Sequence, residues 1–362
     1  MIKKLKSFIL KIVAFVNVVA VIVMLVAGYS DHFNPQHYPN ISMLGLIFPV
    51  LVVINLVFLL IWVFLKLKGT LISIVGLMFC LSPIRTFLPI NFDQTPPEGS
   101  IKVVSFNVYL FAPWGVKKDE PNPILEYLHN SDADIVCLQE ADTHELGNKK
   151  LQKALEIYPY RDSTKMENAS EVMMIFSKHP LIKKKRIEYT STGNMSMAYQ
   201  LNINGDTVIV INNHLETNNI SMEDREDFKQ ITTGELSKNN IEQKTKHLLK
   251  KMIEAAKKRA PQVEEIARFI EDHSGKSMIV CGDFNDTPIS YTHHTISKKL
   301  TDCFVATGNG PGFTYEQNGM RVRIDYIFCS KDWQPYACKV DKSVTTSDHF
   351  PVVCWLKKRG KP

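Results

Sequence analysis

The sequence lacks several patterns that would assign it to a protein class directly. Its seven cysteines include no CxxC pair, and neither they nor the histidines have the spacing of zinc ligands. A zinc ribbon is therefore not indicated, and a tetrahedral zinc site is the weaker alternative. The odd number of cysteines also argues against a complete disulfide framework. A single pair, Cys303 with Cys338, stays open if the domain lies outside the cytoplasm.

A strong basic charge is also missing from most of the chain. The net charge is +6, but the first hundred residues hold seven basic against three acidic residues. The other 262 residues hold 36 basic against 34 acidic residues, which leaves a net charge of only +2. A nucleic-acid-binding protein usually has a stronger basic bias, so composition gives weak support for a DNA or RNA substrate.

The long apolar runs are confined to three segments near the N-terminus, at residues 7–29, 43–65 and 71–90. At about 1.5 Å per residue, the first two are long enough to cross a hydrocarbon core of roughly 30 Å. The third contains Pro83 and Arg85, so it either spans the membrane or dips into the interface. A cleaved signal peptide is the alternative for the first segment. That segment is too long, lacks an A-x-A site and is followed by further apolar segments, so we expect a multi-pass anchor over residues 1–91.

The basic residues predict how this anchor is oriented. Lys3, Lys4 and Lys6 precede the first segment, and Lys66 and Lys68 separate the second from the third. The loop between the first two segments has no Lys or Arg, so the positive-inside rule places the N-terminus and the second loop in the cytoplasm. A spanning third segment then makes the following domain extracytoplasmic, which we expect, whereas an interfacial segment leaves it cytoplasmic.

After a polar, Pro-containing linker at residues 92–100, the pattern changes to that of a soluble domain at residues 101–362. A charged, mainly helical region extends from about 222 to 273 and is divided by Pro261. Strands interspersed with helices predict a layered α/β fold. Eight short runs rich in Val, Ile and Phe predict strands: 101–108, 134–140, 171–177, 197–203, 207–215, 277–284, 323–330 and 351–356.

Polar side chains of a few types stand at the ends of these strands. They are Asn107, Glu140, His214, Asp283 with Asn285, Asp325, and Asp348 with His349. Taken singly, GDFND can be a polar turn and SDH a simple loop, because such residues favour turns. Six strand ends with only carboxylates, amides and imidazoles instead favour one polar site, since strand ends at one sheet edge commonly converge.

These residue types suit metal-assisted hydrolysis of a phosphate ester. Mg²⁺ prefers oxygen ligands and needs only one or two protein carboxylates, which Glu140 with Asn107 can satisfy; Mn²⁺ is the alternative ion. A carboxylate such as Asp325 can fix the tautomer of His349, which then acts as a general base or donates to a phosphoryl oxygen.

The strings SFNV, DIVCLQE, NNHL, GDFND, RIDYI and SDHFPV, in this order, resemble the endonuclease/exonuclease/phosphatase superfamily. That superfamily includes the pancreatic-type deoxyribonucleases and the neutral sphingomyelinases. The resemblance covers residues 101–356. It implies a four-layer α/β/β/α sandwich with two central mixed sheets and a site at one end of them, here preceded by transmembrane helices.

The resemblance also implies roles for individual residues, position by position. The expected metal-proximal residues are Asn107 and Glu140, with Asp348 as a further metal or water contact. The expected catalytic residues are Asp283 and Asn285, which align the nucleophile and bind phosphate, the Asp325–His349 dyad, and His214 as an acid or phosphate ligand. Glu171 is a weaker candidate as the carboxylate partner of His214.

The sequence therefore predicts a membrane-anchored, magnesium-dependent phosphodiesterase or phosphomonoesterase. Nucleic acid and lipid headgroups are both open as substrates. A sphingomyelinase-like enzyme would need an apolar membrane-facing loop, which Phe111–Trp114 could supply; the equal alternative is that this loop packs on its own domain. No protein partner is indicated. The alternative from a different class is a non-catalytic membrane scaffold that uses the domain for binding.

Overall fold

The N-terminal apolar segments form a small helical bundle in the computed structural model, which describes residues 2–115, 120–166, 171–235 and 238–360. Its helices are α1 (Ile2–Gly28), α2 (Pro39–Ser42), α3 (Phe48–Leu65), α4 (Thr70–Phe79) and α5 (Leu81–Phe87). Among the described residues, two helices are long and apolar enough to cross a membrane, and the α4–α5 pair makes a third if it is one span.

A bend of 63° separates α4 from α5. Pro83 has no N–H to donate to the carbonyl of Phe79, four residues earlier, and a proline at such a position interrupts a helix. The hydroxyl of Tyr29 donates to that carbonyl instead, at 2.6 Å. The third apolar segment is therefore a broken helix rather than a straight one.

Polar side chains hold α1, α3 and α4 together inside the bundle. The Oδ1 atom of Asn17 accepts hydrogen bonds from Trp62 Nε1 at 2.9 Å and from Ser73 Oγ at 3.1 Å. Asn55 approaches the same asparagine at 3.4 Å. Polar groups in an apolar surrounding must find partners on neighbouring helices, so these contacts define which helix faces meet.

The soluble part is built on two six-stranded sheets. The first has the order β13-β14-β1-β2-β4-β3 and the second the order β5-β6-β7-β8-β12-β9, while β10 and β11 form a separate hairpin. The strands are β1 (Ile101–Asn107), β2 (Ile135–Gln139), β3 (Tyr160–Lys165), β4 (Val172–Ser177), β5 (Leu181–Ile187), β6 (Met195–Ile203), β7 (Asp206–His214), β8 (Ser277–Asp283), β9 (Thr301–Asp302), β10 (Tyr315–Gln317), β11 (Met320–Val322), β12 (Asp325–Cys329), β13 (Trp333–Val340) and β14 (Val352–Lys358).

Helices cover the outer face of each sheet. The helices of this part are α6 (Pro123–Asn130), α7 (Asn148–Ala154), α8 (Met222–Thr233), α9 (Lys238–Asp272), α10 (Tyr291–Ser297) and α11 (Cys303–Thr307). Side chains of β1 and β6 share one core between the sheets, whereas α6 and α7 pack on the first sheet and α9 and α10 on the second. This arrangement confirms the expected α/β/β/α sandwich.

The eight expected strands are all present, with ends that differ by a few residues. Six further strands lacked a recognisable signal, because β3, β5, β9 and β13 lie at or beside sheet edges and β10 and β11 are only three residues long. The sequence of β5, LIKKKRI, carries the charge typical of an exposed edge, which obscures apolar alternation.

The expected division of the helical region at Pro261 is wrong. Helix α9 continues through Pro261, and the boundary falls at Gly234, which ends α8 with a left-handed φ of 74°. Glycine tolerates that conformation without strain, so it ends a helix readily. A capping box between Ser221 and Asp224 begins α8.

The cysteines are all free and buried. Cys303 and Cys338 therefore do not form the disulfide that the sequence left open, and both belong to the core between the sheets. Their burial matches the behaviour of cysteine as a small apolar residue.

Candidate active site

The strand register brings three polar strand ends of the second sheet side by side. His214, at the end of β7, pairs in register with Asp283 at the end of β8, and Asp283 pairs with Asp325 at the start of β12. In the first sheet, Asn107 ends β1 opposite Gln139, which directly precedes Glu140. Because β1 and β2 are parallel and β7 and β8 are parallel, their carboxyl ends meet at one end of the sandwich.

Asn107 links the two sheets at this end. Its Nδ2 atom donates to Glu140 Oε1 at 3.0 Å and to Asp283 Oδ2 at 3.2 Å, while its Oδ1 accepts from the backbone N–H of Tyr109 at 3.1 Å. The amide oxygen is thus turned away from Glu140. In this orientation Asn107 positions two carboxylates, and direct metal ligation requires the opposite orientation of its amide.

His349 is held by a buried carboxylate. Its Nδ1 lies 2.9 Å from Asp325 Oδ2, and its Nε2 lies 3.7 Å from Asp283 Oδ2. Burial alone lowers the pKa of His349, but the negative charges of Asp325 and Asp283 outweigh this and raise it to about 10. The imidazolium form is therefore favoured, with Nε2 directed at the centre of the site.

His214 repeats this arrangement on the other side of Asp283. Its Nδ1 lies 2.9 Å from Glu171 Oε2, and its Nε2 lies 3.8 Å from both Asp283 Oδ2 and Glu140 Oε1. Burial opposes the charged imidazole, yet the Glu171 charge and its contact raise the pKa of His214 to about 10. The structure thus brings the weakly predicted Glu171 directly against His214.

Asp283 lies between the two histidines and is almost completely buried. Burial and the nearby charge of Asp325 raise its pKa, and the two histidines oppose that effect. The backbone N–H of Asn285 donates to Asp283 Oδ1 at 2.8 Å, and Asn285 Nδ2 donates to Leu215 O at 3.0 Å. Asn285 adopts a left-handed φ of 52°, which asparagine tolerates better than most residues.

Asp348 lies at the rim of the group, beside an arginine that the sequence did not single out. Arg225 Nη2 approaches Asp348 Oδ2 at 4.0 Å, and the guanidinium lies 5.6 Å from the centre of the Tyr315 ring. Burial, followed by the charge of Glu140, raises the pKa of Asp348, although His349 and Arg225 oppose it. Nothing in the local sequence of α8 marks Arg225 as different from its other charged residues.

Two small residues fix the strands that carry these groups. Gly282 has a φ of 132°, and a Cβ atom there would lie 2.0 Å from the carbonyl oxygen of Asn213 on β7. Only glycine permits this approach of β8 to β7. Ser347 Oγ donates to Asn107 O at 2.8 Å and thereby ties the SDH segment to β1.

A buried arginine supports the GDFND turn from behind. Arg259 on α9 donates from Nη1 to Glu216 O at 2.9 Å and to Asn218 Oδ1 at 3.0 Å. Its Nε lies 3.3 Å from Asp286 Oδ2. This residue stands 27 positions before Asp286 in a charged helix, so no sequence motif predicts the contact.

The donors gathered here suit a hard divalent cation. Carboxylate oxygens of Asp283 and Asp325 lie within 4.8 Å of each other beside His349, and Asn107 links Glu140 to Asp283 through its Nδ2 atom. Asp325 Oδ1 is buried without a hydrogen-bond partner, so it is available to a further ligand. Carboxylate oxygens are the ligands that Mg²⁺ and Mn²⁺ prefer, whereas zinc would take more nitrogen or sulfur.

The FAPW segment is mostly packed on its own domain. Phe111 and Ala112 are fully buried, and only Trp114 is exposed, with its ring against Tyr109. Of the apolar loop expected at Phe111–Trp114, only the side chain of Trp114 is exposed and could contact a membrane.

The fold and this set of residues define a phosphoesterase-like site, and comparison with known proteins identifies the family. The profile described as the Endonuclease/Exonuclease/phosphatase family matches residues 104–349, so the chain belongs to that family. A second profile, described as a domain of unknown function (DUF8431), matches residues 10–87. No curated protein matches the chain.

Several solved structures are similar to this chain at low sequence identity. The catalytic domain of human Nocturnin, with a bound sulfate anion, is 17% identical with a TM-score of 0.51 over 74% of this chain and 100% of that one. A Bacteroides thetaiotaomicron protein of the same family is 17% identical with a TM-score of 0.48 over 73% and 98%. Danio rerio TDP2, complexed with a single-stranded DNA product, is 14% identical with a TM-score of 0.49 over 72% and 100%.

Proposed function

We propose that this protein is a membrane-anchored, Mg²⁺-dependent phosphoester hydrolase in which histidines and aspartates assist the attack of water. The observation that supports it most is the pair of buried imidazoles, each with its Nδ1 atom 2.9 Å from its own carboxylate and its Nε2 atom directed at Asp283. His349 and His214 lie 3.7 and 3.8 Å from Asp283 Oδ2, and Glu140 completes the group. Such an arrangement is costly to bury unless the groups are used together.

Hydrolysis forms a bond from the water oxygen to phosphorus and breaks the ester bond to the leaving oxygen. Asp283, with its raised pKa, is placed to take the proton from water, while Asn285 lies two residues away to orient phosphate. The Nε2–H groups of His349 and His214 are placed to donate to the charged phosphoryl oxygens. A bound Mg²⁺ near Glu140, Asn107 and Asp348 would supply positive charge to the same oxygens.

The anchor and the catalytic domain suggest an extracytoplasmic site. The catalytic domain contacts the C-terminal end of α1, the N-terminal end of α3 and the C-terminal end of α5. The N-terminal lysines and Lys66–Lys68 lie at the opposite helix ends. With the positive-inside rule, three crossings would support an active site outside the cytoplasm. A compartment reporter fused to the C-terminus tests this, and reporter activity in the cytoplasm would contradict it.

The reaction is tested with the purified full-length chain in detergent. Turnover of bis-p-nitrophenyl phosphate, DNA, sphingomyelin and phosphoinositides is measured with Mg²⁺, with Mn²⁺ and after chelation. We expect cation-dependent turnover, and we expect His349→Ala to reduce the rate by about 10²–10³-fold, the usual effect of removing one donor to the charged transition state.

His129→Ala is the matched control, because it also removes an imidazole but from an exposed position on α6. It should retain the full rate. If no ester is hydrolysed with either cation, the hydrolase proposal fails and the non-catalytic scaffold becomes the better interpretation.

A further inference from the structure

The catalytic end of the sandwich opens into a large cavity that the anchor helps to form. Its volume is about 810 Å³, and Glu140, Asp283 and His349 lie at its polar end. Met43 and Leu46, from the turn that leads into α3, line the same cavity. A phosphate-ester site and the surface of a membrane anchor therefore share one continuous space.

The rest of the cavity is mainly apolar, and two helices inserted between β7 and β8 supply much of this lining. Phe228 and Ile231 come from α8, and Leu248, Leu249 and Met252 come from α9. Apolar side chains on a helix normally pack against the core. Here they face a space large enough for a ligand, which indicates an apolar ligand group.

Charge in the cavity is a poor match for a nucleic-acid strand. Three arginines line the cavity: Arg259 is already bound to Glu216 O and Asp286, Arg225 lies beside Asp348, and Arg321 stands on β11. Single-stranded nucleic acid is usually bound in a basic groove that follows many phosphates. Arg225 and Arg321 are too few to follow the phosphates of a strand, and they stand next to a long apolar surface.

The active-site loop also rests directly on the end of the anchor. Ile289, six residues after Asp283, packs into a cluster with Phe48 and Met24 of the helical bundle. A Cβ atom on Gly45 would lie 2.1 Å from the Ile289 carbonyl oxygen, so the two parts touch through backbone. The cavity is thus at the level where α3 would enter the lipid headgroup region.

We propose that this cavity binds a membrane lipid phosphate ester, with its acyl chain between α8 and α9 and its phosphate at Glu140 and His349. The proposal rests on the phosphoesterase function above and names its substrate class. The polar end supplies the reacting groups, the apolar walls receive the chain, and Met43 and Leu46 form the side next to the bilayer. A lipid can then reach the site without leaving the membrane surface completely.

The test uses the full-length chain in nanodiscs with Mg²⁺ and p-nitrophenyl alkyl phosphodiesters whose alkyl group is methyl, butyl, octyl or dodecyl. All concentrations stay below micelle formation. We expect kcat/KM to rise about threefold to fourfold per methylene until the cavity is filled, because each buried methylene contributes a nearly constant transfer free energy. A kcat/KM that does not depend on alkyl chain length would overturn the proposal. A higher kcat/KM for a DNA oligonucleotide than for the alkyl esters would also overturn it.

Met252→Gln and Met222→Gln make a matched pair of variants. Met252 lines the cavity, whereas Met222 stands on α8 outside it with 79% of its surface exposed. Met252→Gln should flatten the dependence on chain length, and Met222→Gln should leave it unchanged. The dependence compares esters within one preparation, so partial misfolding does not alter it. If kcat/KM depends on alkyl chain length equally in both variants, the cavity does not bind the alkyl chain.

A binding measurement separates this inference from the hydrolase proposal. The dissociation constants of methyl-, butyl- and octylphosphonate, which are not hydrolysed, are measured by calorimetry with the same variants. Chain-dependent binding without turnover of any ester supports the lipid cavity and rejects the hydrolase. If esters are hydrolysed but neither the dissociation constant nor kcat/KM depends on alkyl chain length, the lipid cavity is rejected and the hydrolase proposal is retained.

Discussion

Substitution of Gly282 by alanine tests the geometry on which the candidate active site depends. The backbone φ of 132° is outside the range that alanine adopts without strain, which costs about 1–3 kcal/mol. The added Cβ would lie 2.0 Å from Asn213 O, so β7 and β8 must separate locally by about 1 Å to reach even a tight contact of 3.0 Å. Overpacking of this kind costs a further 1–3 kcal/mol or so.

The free energy of unfolding should therefore fall by about 2–6 kcal/mol. For a domain of this size, that lowers the melting temperature by roughly 4–24 °C. The same displacement moves Asp283 away from His214, its partner in register. A misplacement of about 1 Å can reduce turnover by about 10²-fold, so kcat/KM should fall by that order.

Gly205→Ala is the control for backbone strain alone. Gly205 also has a positive φ, 92°, in the turn between β6 and β7, but a Cβ atom there meets nothing within 4 Å. Gly205→Ala should lower the free energy of unfolding by about 1–2 kcal/mol and leave kcat/KM unchanged. Both melting temperatures are measured by thermal unfolding in detergent. If the two variants lose equal stability, or if Gly282→Ala keeps full activity, the close approach of β7 and β8 does not organise the site.

Three further predictions concern side-chain contacts. Asp325→Asn should reduce kcat by about 10²–10³-fold, because His349 loses the carboxylate that orients its ring and favours its imidazolium form. An unchanged kcat at an unchanged melting temperature would contradict this. Asp224→Asn should cost about 1–3 kcal/mol in the free energy of unfolding at pH 7, where Asp224 binds Lys251 of α9. Burial opposes ionisation of Asp224, but hydrogen bonds from Lys251 and from the N-cap residue Ser221 lower its pKa to about 2. The stabilisation should therefore be complete above about pH 4 and disappear as pH falls through 2. A difference in unfolding free energy between wild type and Asp224→Asn that does not depend on pH would refute this. Arg323→Lys should increase proteolysis at the junction of anchor and catalytic domain. Arg323 donates to the backbone carbonyls of both Thr86 and Pro311, and a lysine ammonium cannot make both hydrogen bonds in the same planar geometry. Equal digestion rates of the two proteins would refute this.

Several features of the site could be read from the sequence because they are local. The apolar runs that end in a carboxylate or an amide, such as β8 before Asp283, combine a strand signal with a polar terminus. The order of six such strings carried the resemblance to the family, and the matched profile confirms it. Roles of single residues, among them Asn107 as a metal ligand, stay predictions.

Other features depend on contacts between distant parts of the chain. Glu171 meets His214, Arg259 meets Asp286, and Arg225 meets Asp348 only because β4, α8 and α9 are brought to the same end of the sandwich. Helical periodicity predicts that α9 has an apolar face, but not that part of this face lines a cavity instead of the core.

Local sequence was enough to predict the apolar segments, the α/β domain and the residue types at the candidate site, since periodicity, composition and strand-end residues are encoded within a few positions. Local sequence could not predict which side chains pair, how Asn107 is oriented, or that the N-terminal bundle forms part of the cavity. Register and helix packing depend on the whole set of long-range contacts, such as Ile289 against Phe48, and no short segment contains that information.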